Sequence, residues 1–105
     1  MPAFAGQLAL VQQAVCGNPA TLIYTSPANS PSVIAGYAFT NPNPTPDTVV
    51  VYRDAAQNYG RLFTVTVPGG AVGWQWPSYL RIEPGQSLYA FSQSGLTLVE
   101  VDGQL

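Results

Sequence analysis

The chain has 105 residues, of which 47% are hydrophobic and only 8% charged, where ordinary domains carry roughly 25% charged residues. That length admits one domain with one core. Three cations, Arg53, Arg61 and Arg81, stand against five anions, Asp47, Asp54, Glu83, Glu100 and Asp102, for a net charge of -2, which excludes the phosphate-neutralising surface that nucleic-acid binding needs.

In chain order, Met1 to Gly6 is an uncharged stretch whose large apolar side chain is Phe4. It can dock that side chain on a neighbouring subunit, fray into solvent, or start the first strand. Residues 1–19 are read as an N-terminal arm with the first strand, and residues 20–105 as the β-sandwich domain. No positive n-region opens the chain, and Gln7, Gln12 and Gln13 interrupt any apolar h-region, so no signal peptide is expected. Apolar runs fall short of a membrane span, so no membrane partner is expected either.

Ten Gly and ten Pro cut the chain into short apolar runs, too short for helices. Strands are predicted at Gln7 to Val15, Thr21 to Thr25, Ser32 to Thr40, Thr48 to Arg53, Arg61 to Val67, Tyr79 to Glu83, Ser87 to Phe91 and Leu96 to Asp102. Val33, Ala35, Tyr37 and Phe39 alternate as a half-buried strand should, and so do Phe63, Val65 and Val67 against Thr64 and Thr66. Asn41 to Asp47 has Pro at every second position, which predicts an extended, polyproline-like surface crossover. Glu83-Pro84-Gly85-Gln86 carries the type II turn pattern, with Pro fixing φ and Gly supplying a positive one. The fold class that follows is all-β: a single antiparallel β-sandwich of about seven to eight short strands, of jelly-roll or Greek-key type, with a closed barrel as the competing architecture.

The residues for chemistry are sparse. Nucleophilic catalysis by Ser or Cys needs a positioned base, and the chain has no His and no Lys. Cys16 is the single cysteine, which rules out an intrachain disulfide and reads as a small buried hydrophobe. Glu100 and Asp102, two apart on a strand, share a face, but neighbours on one strand do not straddle a substrate. No phosphate loop or calcium loop is visible. The expectation is a non-enzyme without cofactor or metal. Trp74, Trp76 and Tyr79 form an aromatic cluster around Pro77 with three readings: core filling, a protein interface, or a platform for sugar rings.

The order of the elements carries a resemblance. Thr21-Leu22-Ile23-Tyr24-Thr25 runs into Ser26-Pro27, then Val33 to Asn41, then Val49-Val50-Val51-Tyr52-Arg53. Val65-Thr66-Val67-Pro68-Gly69-Gly70, Leu80 to Leu88 with its Pro-Gly turn, a Ser-rich stretch and a closing strand Leu96 to Val101 complete it. Over about residues 20–105 this is similar to the small β-sandwich virion proteins of tailed bacteriophages, among them head decoration proteins and other capsid or tail accessories; Gln86 stands where that pattern would place an acidic residue. The resemblance implies a structural virion protein, foremost a head decoration protein that binds the major capsid protein on the capsid surface as a symmetric homo-oligomer, a trimer favoured, assembled in the host cytoplasm. Phe4, Trp74, Trp76 and Tyr79 are the candidate interface residues. The alternative is a carbohydrate- or receptor-binding module of a tail tip or fibre.

Overall fold

The alternating runs of Val, Ile, Tyr and Phe fold as strands because each can turn one row of side chains to a shared core and the other to solvent. A computed structural model describes residues 9–53 and 61–104. Its strands are β1 (Ala9–Val15), β2 (Thr21–Thr25), β3 (Ser32–Thr40), β4 (Asp47–Tyr52), β5 (Arg61–Val67), β6 (Trp74–Ile82), β7 (Ser87–Ser92) and β8 (Leu98–Gln104). They form two four-stranded sheets, β1-β8-β3-β6 (sheet A) and β2-β7-β4-β5 (sheet B), with every strand pair antiparallel. Most connections cross from one sheet to the other, which makes the β-sandwich a jelly roll. The Cα slab measures 39 × 33 × 16 Å.

The core lies between the sheets. Ile34, Tyr37, Phe39, Val99 and Val101 face inward from sheet A, and Ile23, Val49, Val51, Val65, Val67, Leu88 and Ala90 from sheet B. Cys16, just after β1, is buried among them. β1 lies within residues 1–19 and is an integral strand of sheet A, paired with β8 from Ala9↔Gln104 to Val15↔Leu98.

Strand positions agree closely with the sequence except at three places, each with a physical reason. β6 begins at Trp74 rather than Tyr79, because Pro77 sits on an edge strand, where a missing ladder hydrogen bond is tolerated. Pro77 lies opposite Gly36, beside a register shift between Ile34 and Gly36 that breaks the alternation of β3, so that Ser32 and Ile34, rather than the expected Val33 and Ala35, are buried with Tyr37 and Phe39. β8 begins at Leu98 rather than Leu96, since Leu96 and Thr97 are drawn into a loop anchored on Asp47. The Pro-rich crossover does join the two sheets, but it is bent rather than extended. Buried Asn41 closes it, its Nδ2 donating to the Thr45 carbonyl (2.9 Å) while its Oδ1 accepts from the Asn43 amide (2.9 Å). The Glu83–Gln86 turn forms as its Pro-Gly pair requires: Gly85 has φ of 78° and the Gln86 amide donates to the Glu83 carbonyl at 3.0 Å.

Candidate functional site

Sheet A turns a trough to the outside. Its floor is β3, where the outward positions are Gly36, Ala38 and Thr40, residues too small to fill the space between the neighbouring strands. One end is a depression of about 430 Å³ walled by Val15 and Leu98 on one side and Val72 and Gly73 on the other. A smaller one of about 210 Å³ continues along the same face, between Glu100 and Asp102 on β8 and Gln75 and Pro77 on β6. The rim is apolar: Val72 is 84% exposed, and Val15 and Leu98 are close to half exposed. Tyr79, 76% exposed, stands two residues beyond Pro77 on the same side of β6.

The structure separates the predicted aromatic cluster. Trp74 and Trp76 turn inward, and Tyr79 turns outward, because Tyr79 is offset from them by an odd number of residues on one strand. The two indoles stack with centroids 6.0 Å apart and planes 22° from parallel. Trp76 also lies 6.0 Å from Phe63 of β5, and Phe63 lies 5.0 Å from Tyr37. The rings therefore close the side of the sandwich where edge strands β5 and β6 face each other without pairing. A flat platform of all three aromatics does not exist in this arrangement. Phe4 lies outside the described residues.

The titratable groups have structural surroundings. Burial pushes the Cys16 thiol up to about 12, and nearby Asp47 adds to it, so the sulfur is a poor nucleophile. Asp47 is buried, which works against its ionisation. Hydrogen bonds from the Ser94 hydroxyl (2.6 Å), the Thr97 hydroxyl (2.5 Å) and the Ser94 amide (3.0 Å) outweigh this and hold its pKa below the ordinary carboxylate value. Glu100 and Asp102 share the outer face of sheet A, and Glu100 accepts a hydrogen bond from Gln13 Nε2 at 3.0 Å. Among the described residues no group of three or more metal-ligating side chains comes together. The carboxylates that the sequence singles out thus line a trough wall rather than a pocket with a positioned partner.

No family model matches the chain, and no curated protein matches it. A solved structure is similar: a chain from Bacillus endospore appendages, described as a novel family of disulfide-linked pili. The two share 14% sequence identity at a TM-score of 0.50, over 94% of this chain and 87% of that one. A likeness at that identity establishes the β-sandwich fold alone.

Sequence reasoning missed a second apolar layer, which is covered rather than open, with Val50 7% and Tyr52 6% exposed. The outward positions of sheet B include Val50, Tyr52, Tyr89 and Phe91, with Tyr52 paired to Tyr89 and Val50 to Phe91. The signal was the uninterrupted run Val49-Val50-Val51-Tyr52, buried at every position. A strand apolar on both faces has neighbours to meet on both.

Proposed function

We propose that the chain is a structural subunit that acts by self-assembly and by covering a larger surface, without catalysis. The observation that carries this reading is the concentration of exposed large apolar side chains around one trough: Val15, Val72 and Leu98 rim it, and Tyr79 extends it. Soluble monomers rarely gather apolar surface in this way, and contiguous patches of this kind mark interaction sites. A chain with only 8% charged residues has little else to keep copies apart. The edge strand β6 adds to this, since Arg81 is its one charged residue, although Pro77 and the register shift beside it interrupt pairing.

The place we propose for such a subunit is the surface of a tailed-phage virion, as a head decoration protein bound to the major capsid protein. The support is the order of strands and turns given above, and the absence of any demand for chemistry in that role. The structural neighbour belongs to pili, which are also assemblies of repeated subunits. Assembly through disulfides does not suit this chain, whose single cysteine is buried. The carbohydrate-binding reading has less to stand on, because the two Trp rings are packed across the seam between sheets.

The test is the mass of the purified chain across concentration by light scattering, with electron microscopy of the same samples and localisation in purified particles. We expect a defined oligomer larger than the monomer and its presence on particle surfaces. A chain that stays monomeric at every concentration and is missing from particles overturns the proposal.

A further inference from the structure

The trough on sheet A has two ends of different chemistry. Outward along β8, Leu98, Glu100 and Asp102 follow one another at period two, opposite Thr40, Ala38 and Gly36 of the floor. Beside Leu98 the rim is aliphatic, completed by Val15 and Val72. Further along it is acidic, and Glu100 and Asp102 meet no cation among the described residues. Arg81, outward on β6 beyond that acidic stretch, is already held by Glu83 at 2.7 Å. Gln13 and Gln75 stand on opposite walls, with side-chain amides that both donate and accept hydrogen bonds. Tyr79 lies beyond both depressions and is left to contacts between copies.

A groove of this form fits an extended polypeptide. β6 and β8 flank β3 at about 4.8 Å on either side, and the small floor residues let a backbone settle between them. The amides on the walls suit the N–H and C=O groups of that backbone. Its same-face side chains would recur every ~6.6 Å, as those of β8 do, so three successive ones reach Leu98, Glu100 and Asp102 in turn. We propose that the trough seats an extended segment of another protein, with an apolar side chain against Val15, Leu98 and Val72, and Lys or Arg at the second and fourth positions beyond it against Glu100 and Asp102. The 105 residues of this chain contain no such segment, since no two of Arg53, Arg61 and Arg81 lie within five residues of each other. The occupant is therefore a different protein rather than a second copy. This rests on the reading of the chain as a cover for a larger surface, and it names the chemistry that the trough meets there.

The test is an NMR titration of the full isotope-labelled chain with a short peptide, blocked at both ends, in which leucine, lysine and lysine alternate with serines. The amide resonances of Ala38, Leu98, Glu100 and Asp102 should shift, and those of Tyr52 and Tyr89 on sheet B should stay in place. Glu100→Gln with Asp102→Asn keeps the side-chain volumes and should weaken binding at least about tenfold, as expected for close charge pairs. The variant's own amide spectrum shows whether it folds. If it does not, the wild-type chain with glutamates in place of the peptide's lysines makes the same comparison, and no binding is expected. Serine in place of the leucine should also weaken binding about tenfold. Binding of the original peptide should fall in about 1 M salt, where the Debye length is ~3 Å. No shifts at millimolar peptide, shifts confined to other faces, or equal binding of the lysine and glutamate peptides overturns the proposal. So does a trough that responds to soluble oligosaccharides and not to the peptide. Each of these outcomes leaves self-assembly standing, because that reading fails separately, in a chain that stays monomeric and is missing from particles.

Discussion

Asp47 shows how one buried carboxylate fixes a loop. It sits at the start of β4, 4% exposed, and receives three hydrogen bonds from Ser94 and Thr97, which position the turn between β7 and β8. Asp47→Asn keeps the volume but offers an NH2 group to the fixed amide of Ser94. Hydrogen bonds to charged groups contribute about 1.5–3 kcal/mol, so urea denaturation should show a loss of about 2 kcal/mol. The pH dependence has a definite sign. Because the folded-state pKa lies below the unfolded value of about 3.9, the contribution is complete above that value and lost as pH falls through the folded one. Acid titration of stability should therefore be shallower in Asp47→Asn than in the wild type; equal slopes would remove Asp47 from the account. Cys16 supplies a second residue-scale outcome. With a thiol pushed up to about 12 and full burial, it should resist Ellman's reagent in the native state and titrate completely once the chain is denatured. Fast native reaction, or a dimer band on a non-reducing gel, would contradict its placement in the core.

Most strands were legible because half-buried strands advertise themselves by period-two alternation, as Arg61–Val67 does; in Ser32–Thr40 the alternation was enough to mark a strand, but the register shift between Ile34 and Gly36 moves the inward row from Val33 and Ala35 to Ser32 and Ile34. The residues that escaped were those whose meaning depends on neighbours distant in sequence. Pro77 read as a break, yet it is harmless on β6 because among the described residues no strand pairs with its outer edge. Tyr79 read as a partner of Trp74 and Trp76, although parity alone puts it on the other face; the reading failed by clustering residues along the sequence instead of across the pleat. The trough was invisible too, since Gly36 and Ala38 gain meaning only when β6 and β8 flank them. Gly103 makes the same point with a sharper consequence. A Cβ there would lie 2.0 Å from the Val33 carbonyl oxygen and 3.0 Å from Ile34 Cα, both backbone atoms of the paired strand. Side chains can step aside, but a ladder cannot. Gly103→Ala should cost about 3 kcal/mol, at the upper end for overpacking, and thermal unfolding would show it as a lowered Tm. A variant as stable as the wild type would mean that β3 and β8 are spaced more widely than described.

At the scale of the whole molecule, folding and the proposed assembly use opposite sides of the same strand. β6 sends Trp74 and Trp76 inward, where Trp76 and Phe63 bridge sheets that share no hydrogen bonds on that side. It sends Gln75, Pro77 and Tyr79 outward, along the wall of the trough. Two substitutions three residues apart should therefore have different effects. Trp76→Ala removes a ring from the Trp74–Trp76–Phe63–Tyr37 series and leaves a void at the seam, so a loss of about 3 kcal/mol is expected in chemical denaturation. The fraction that remains folded keeps its outer face, and its self-association should match the wild type once corrected for that fraction. Tyr79→Ala removes a side chain that is 76% exposed, so stability should change by no more than about 0.5 kcal/mol. Its self-association should fall, because exposed aromatics at apolar surfaces commonly carry interface energy. The comparison is decisive because the two effects are crossed. If Tyr79→Ala unfolds the chain while Trp76→Ala merely dissociates it, β6 presents its faces the other way round, and the Trp pair rather than the trough is the surface that neighbours meet.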